Sequence, residues 1–294
     1  MEGLMAKTYA SVFRPGLFND QVVIVTGGGS GIGRCTAHEL ASLGAKVALI
    51  GRNLDKLDAV RAEIIAAGAE ADRWVCDIRE ENKVKETIAA VLARFSRLDG
   101  LVNNAGGQFA APLAKMTQKG WDAVVRNNLT GGFLMAREAY TQWMAGHGGA
   151  IVNIVADVWL GTPLMGHSGA ARAGMVNFTK TAAFEWSGSN VRVNAVAPGW
   201  IASSGLDRYP PEMREKIRNL KDHVPAGRLG TESEVAAAIV FLLSEAAAFI
   251  SGATLRVDGA APNAPRSIPM PPRQLPTPAF NGFHLASMPI VLRD

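Results

Sequence analysis

Nothing in this chain constrains its fold more than the run Val22-Val23-Ile24-Val25-Thr26-Gly27-Gly28-Gly29-Ser30-Gly31-Ile32-Gly33. Four consecutive β-branched residues predict a strand buried on both faces, because a strand with one wet face alternates apolar and polar side chains. The glycines then let the backbone turn sharply into a helix opening near Gly31. Strand, glycine turn and helix together make a phosphate cradle: free N–H groups and the positive end of the helix dipole face the ligand, and missing Cβ atoms allow close approach. Gly27, Gly31 and Gly33 follow G-x-x-x-G-x-G rather than the usual dinucleotide spacing G-x-G-x-x-G, so the run alone also fits a glycine-rich turn with no ligand.

Downstream, strand and helix patterns alternate. A helix is expected over about 31–43, a second strand over Lys46–Ile50, a helix over about 54–67 and a third strand over Arg73–Ile78. Leu101-Val102 leads a fourth strand, a long helix runs from about Trp121 to Ala145, and Ala150–Val155 is the fifth strand. Val191–Gly199 is the sixth with its exit turn, Thr231 and Glu234 have capping-box spacing for a further helix, and Ala253–Gly259 is the seventh. This alternation predicts an α/β fold, a Rossmann-type doubly wound parallel sheet of seven strands in a single domain. The boundaries are an N-terminal extension over 1–18, the dinucleotide-binding domain over 19–259, and a tail over 260–294. At 294 residues and 48% apolar content, one such domain buries a sufficient core. Eight of the 15 prolines lie in the tail, which excludes regular helix or central strand there. Its Phe280, Phe283 and Leu285 favour an arm laid over a neighbouring subunit above a disordered end.

The end of the second strand, Gly51-Arg52-Asn53, bears on the cofactor. An acid there would hold a ribose 2′-hydroxyl, whereas arginine pairs with a 2′-phosphate. With the acid absent and Arg52 present, NADPH is favoured over NADH; a solvated surface arginine is the plain alternative. A formal charge of +4 with no long run of like charge argues against nucleic acid as a partner. No 18-residue apolar run is present, so no membrane span is expected, and no metal site is expected either. Two cysteines, Cys35 in the first helix and Cys76 in the third strand, fit a reducing cytoplasm rather than a disulfide framework.

Thr26 before the glycines and Asn103-Asn104-Ala105-Gly106 after the fourth strand reproduce TGxxxGxG and NNAG in order, and the chain resembles the short-chain dehydrogenase/reductase family. That resemblance implies cofactor contacts from Gly27, Ser30, Gly31, Ile32 and Gly33, from Arg52 and Asn53, and from Asn104, Ala105 and Gly106. It makes Asp77 and Ile78 neighbours of the adenine, although Asp77 equally suits a helix cap. Pro198, Gly199 and Ile201 are placed beside the nicotinamide, and 210–228 falls where the family keeps a substrate lid. Asn128 in Arg126-Asn127-Asn128-Leu129-Thr130-Gly131 matches the family's active-site asparagine; a mid-helix amide bonding backbone is its bland reading. Close helix contact through Ala170, Ala171, Ala173 and Gly174 implies, by the same analogy, a homo-oligomer, a dimer or homotetramer.

The family's alcohol and ketone enzymes carry Tyr-x-x-x-Lys, where the ammonium lowers the tyrosine pKa. Here Tyr9, Tyr140 and Tyr209 all lack a lysine four residues on. In its place stands His167-Ser168-Gly169-Ala170-Ala171-Arg172-Ala173-Gly174, with Ser168 at the tyrosine position and Arg172 at the lysine position. With Gly107-Gln108-Phe109 this segment resembles the family's enoyl-CoA reductase branch, which includes peroxisomal trans-2-enoyl-CoA reductases and the 2,4-dienoyl-CoA reductases. Reduction of a conjugated C=C bond in an acyl-CoA thioester follows, with Arg172 on the nicotinamide ribose, Ser168 at the thioester carbonyl and Asn128 orienting it. Arginine does not donate the proton, since its pKa lies above ~12. Asp157 and His167 are the candidate donors, against plainer roles as a turn residue and a loop-fixing histidine. Action on another branched or terpenoid acyl-CoA, carbonyl or alcohol, and a catalytically inactive NADP(H)-binding module, are the alternatives.

Overall fold

The structure, a computed structural model, describes residues 8–263, 269–270 and 274–293; expectations resting on the other residues lie outside the described ones. Its strands are β1 (Val22–Thr26), β2 (Lys46–Gly51), β3 (Ala71–Val75), β4 (Gly100–Asn103), β5 (Gly149–Ile154), β6 (Val191–Pro198) and β7 (Thr254–Val257). All pairings are parallel, in the order β3-β2-β1-β4-β5-β6-β7. Val23 of β1 faces Val47 on one side and Gly100 on the other. The winding therefore reverses between β1 and β4, and a crevice opens beyond their C-terminal ends.

The helices are α1 (Gly31–Ser42), α2 (Leu54–Ala66), α3 (Glu81–Phe95), α4 (Gln118–Val125), α5 (Gly131–Ala139), α6 (Ala145–His147), α7 (Gly166–Glu185), α8 (Arg214–Arg218) and α9 (Glu232–Leu243). Successive β1 side chains point to opposite faces. Val23 and Val25 enter one core with Leu40 of α1, Leu57 of α2 and Ile239 of α9. Val22 and Ile24 enter the other with Ile88 of α3, Met135 of α5 and Ala182 of α7. Burial of all five β1 residues is the reason the strand reads as an unbroken β-branched run.

Three local expectations are corrected. β3 ends at Val75 instead of Ile78, because the Asp77 carboxylate accepts the Arg79 amide and its carbonyl accepts the Glu80 amide, forming a turn. Cys76 thus lies just past the strand; it and Cys35 are buried, unpaired thiols. The long helix begins at Gln118, capped by Thr117, and is interrupted by π-turns over Arg126–Thr130 and Tyr140–Met144. The described part of the tail packs on its own chain instead of reaching as an arm over a neighbour. Phe283 is buried among Tyr9, Cys35 of α1 and Ala236 of α9, with Phe280 and Leu285 against the same cluster. Phe280 and Leu285 are half-buried there. The capping box at α9 forms, and Thr231 also donates to the Phe280 carbonyl at 2.5 Å. Beyond it, Val291 packs on Leu206 and Ile217.

Candidate active site

The C-terminal ends of the strands line one cavity of about 720 Å³. At its first end lie Gly27, Ser30, Gly31 and Ile32 of the cradle. Gly33 stays behind them, and a Cβ there would overlap the Gly27 carbonyl, so this glycine lets α1 close onto β1. Arg52, Asn53 and Lys56 line the wall beside the cradle. Asn53 also caps α2 by accepting the Lys56 amide at 2.9 Å. Arg52 is exposed and makes no ion pair among the described residues. Asp77 and Ile78 complete this end, and the Arg79 guanidinium bonded to Asp77 holds its carboxyl at about 2.

Small buried polar groups fix the middle of the cavity. Thr26 Oγ1 accepts the amides of Asn104 and Ala105, and Asn104 Nδ2 donates to the Thr26 carbonyl. Asn103 donates to Asn153 of β5, and Asn153 to Thr179 of α7, each at 2.9 Å. This chain of buried amides sets the position of α7, which carries the departures from Tyr-x-x-x-Lys.

At the far end Ile154, Val155, Ala156, Pro198, Gly199 and Ile201 line the wall together with Arg172. Arg172 lies on α7 one turn beyond Ser168, and Nη1 donates to the Ile154 carbonyl. It pairs with no carboxylate among the described residues. Burial lowers its pKa to about 10, so it remains a cation at neutral pH. A Cβ on Gly106 would overlap Arg172 Nη2 and Asn128 Oδ1, and this glycine leaves the guanidinium its place.

The other expected catalytic residues stand behind the lining. Asn128, in the first π-turn, donates to the carbonyls of Gly107 at 2.7 Å and Val124 at 3.1 Å and accepts the Gly107 amide at 3.1 Å. It clamps the Gly106–Gly107 backbone. Ser168 is buried and donates to Gln108 Oε1 at 2.6 Å, which does line the cavity. His167 is fully buried, with Nδ1 accepting the Ser168 amide and its ring edge-on to Phe109. Asp157 faces Arg256 and Asp258 beside β7, and burial raises its carboxyl. Neither proposed donor lines the cavity: the loop carrying Asp157 packs beside Arg256 of β7, and His167 is covered by Phe109, which does line it.

Sequence reasoning missed Lys56, Gln108 and Tyr209 as lining residues. Lys56 had a usable signal, a cation in the helix turn following Arg52. Gln108 carries only the signal of the segment after NNAG, and Tyr209 lacks the lysine four residues on by which the family's tyrosine is read.

The family model described as enoyl-(acyl carrier protein) reductase matches residues 27–260. The solved citronellol catabolism dehydrogenase of Pseudomonas aeruginosa PAO1 is 57% identical, with a TM-score of 0.78, over 86% of this chain and 99% of that one. The probable 2,4-dienoyl-CoA reductase of Bacillus subtilis is 36% identical over 241 residues, 81% of this chain and 95% of its own. The peroxisomal 2,4-dienoyl-CoA reductase of Danio rerio is 33% identical over 252 residues, 85% of this chain and 84% of its own.

Proposed function

This chain belongs to the short-chain dehydrogenase/reductase family of oxidoreductases, which act with a nicotinamide cofactor, and we propose that it reduces the C=C bond of a 2-enoyl- or 2,4-dienoyl-CoA with NADPH. The observation that carries this reading is Arg172, a half-buried cation with no carboxylate partner among the described residues, where carbonyl reductases of the family place the lysine of Tyr-x-x-x-Lys. When C=C reduction adds hydride to the β-carbon, negative charge gathers on the thioester carbonyl, and a preorganised guanidinium in a site of low dielectric stabilises it. NADPH, when bound, supplies that hydride. The lining suits it: the cradle receives a pyrophosphate, Arg52 and Lys56 receive a 2′-phosphate, and Asn104–Gly106 and Pro198–Ile201 flank the remainder. Asn128 keeps the Gly106–Gly107 backbone beside Arg172, and Ser168 acts through Gln108 rather than on the substrate directly.

A branched, terpenoid chain on the thioester is the second reading, favoured by the 57% identical relative named for citronellol catabolism. The domain over 19–259 is proposed to work as a homo-oligomer in the cytoplasm; exposed Phe184 on α7 and Phe249 offer apolar surface for assembly, and the unpaired thiols suit a reducing compartment.

The deciding experiment follows loss of NADPH absorbance with crotonyl-, 2-decenoyl- and 2,4-decadienoyl-CoA and a citronellyl-type branched enoyl-CoA. Turnover of any straight-chain thioester supports the first reading, and turnover of the branched one alone selects the second. NADPH binding without turnover of any of them returns the chain to a binding module.

Two expectations concern the cofactor end. Arg52→Ala should raise the NADPH KM by about tenfold or more and leave the NADH KM within a factor of about two, since only the 2′-phosphate is lost. Equal effects on both cofactors would make Arg52 a surface residue. Glu232, at the start of α9, is the neighbour that a Cβ on Gly31 would meet, at 3.8 Å, and burial pushes its carboxyl up to about 7. It is neutral below that pH and an anion beside the cradle above it. NADPH affinity measured by cofactor fluorescence should therefore fall several-fold as pH rises from about 6 to about 8, and Glu232→Gln should flatten that profile.

A further inference from the structure

The conjugated-thioester reading leaves the proton without a source, and the cavity itself supplies one. Of the three tyrosines, Tyr9 lies buried under the tail and donates to Glu39, and Tyr140 stacks on Trp186 beside Ser189. Tyr209 alone lines the cavity, carried there by the loop that follows β6. Gln108 Nε2 donates to its hydroxyl at 3.0 Å, while Gln108 Oε1 accepts from Ser168 at 2.6 Å. An amide N–H takes a lone pair of the phenol oxygen, so the phenol's own proton points elsewhere. The acceptor it meets is the Met165 sulfur at 3.8 Å, a weak one that a substrate atom displaces.

We propose that Tyr209 is the proton donor of the reaction, positioned through Gln108 by Ser168. This assignment rests on the conjugated-thioester reading above. Besides the guanidinium groups of Arg172, whose Nη1 is held by the Ile154 carbonyl, and Arg208, the other protic side chains at this end of the lining are the hydroxyls of Ser203 and Ser204, the indole of Trp200 and the amides of Asn127 and Gln108, all far weaker acids than a phenol. When bound, the reduced cofactor would supply the hydride for the new C–H bond at the β-carbon, leaving the π pair on the α-carbon and carbonyl as an enolate. The Tyr209 O–H bond then breaks as its proton forms the second C–H bond at the α-carbon. The phenolate keeps the electron pair, stabilised by the Gln108 N–H, and water restores its proton. Ser168 thereby occupies the position of the family's tyrosine without doing its chemistry: it orients an amide that orients a phenol on another element.

The loop holding Tyr209 is itself tied down. The Asp207 carboxylate accepts the amides of Ile290 and Val291, and Arg218 donates to the Val291 carbonyl at 2.9 Å. Leu206, Ile217 and Val291 pack together beside Tyr209.

The test uses the full chain with the thioester it reduces fastest. Tyr209→Phe should lower kcat about 100-fold or more, in the range of general acid contributions, and leave the NADPH Kd within about twofold. Gln108→Leu, which keeps the phenol but removes both hydrogen bonds, should lower kcat about tenfold and leave the KM little changed. A readout without turnover comes from protein labelled with ¹³C at the tyrosine ring carbon that bears the hydroxyl. The resonance missing from Tyr209→Phe should shift when NADP⁺ and a saturated acyl-CoA are added together, and the other two should not. If the wild type reduces thioesters and Tyr209→Phe stays within threefold of it, Tyr209 is not the donor and the reductase reading stands. If the wild type reduces none of them, both fall together.

Discussion

Arg172→Ala is expected to lower kcat/KM for the thioester about 100- to 1000-fold, the loss seen when one preorganised donor to a developing oxyanion is removed. The guanidinium is held by the Ile154 carbonyl on one side, with Gly106 and the Asn128 clamp on the other. Truncation also strips the Ile154 carbonyl of its partner, at a cost of about 1–3 kcal/mol in unfolding free energy. Arg172→Lys separates the two effects. It keeps a cation but lacks the second N–H arm, and should recover about a tenth of the wild-type rate. The check is steady-state kinetics of both variants with urea unfolding alongside. Wild-type rates in folded Arg172→Ala would remove the cation from the chemistry.

Phe283→Ala is expected to destabilise the domain by about 3 kcal/mol, although the residue lies beyond the last strand and beyond the family match that ends at residue 260. Its ring is buried against Tyr9 and His38 at centroid separations of 6.0 and 5.0 Å, and the Arg34 guanidinium lies 5.1 Å over it. A cavity opened there faces α1 and α9 at once, and α1 carries the cradle. NADPH affinity should therefore weaken with stability. Phe280→Ala, at a partly buried position of the same segment, should cost less. The midpoint of urea unfolding decides the matter, and a shift in Phe283→Ala no larger than in Phe280→Ala would make the tail an appendage.

The seven-stranded parallel sheet, and the glycine cradle and amide braces at one end of the cavity, are legible in the sequence. A β-branched run, glycines where a Cβ would strike the main chain, and amides that brace β1 to β4 act over a few residues, so each leaves a local pattern. The site's far end was legible only in part. Arg172 and Asn128 could be read from the family's motifs, but not that Asn128 sits in a π-turn and clamps the Gly107 backbone from behind the lining. Asp157 and His167 have the chemistry of donors but stand outside the cavity lining, Asp157 beside Arg256 and Asp258 and His167 buried behind Phe109. Only the tertiary structure decided that Tyr209 and Gln108, 101 residues apart, meet over the cavity, and that the proline-rich tail folds back on its own chain. Contacts of that separation depend on how the sheet stacks its connecting loops at one end, and that stacking leaves no trace in the residues on either side of them.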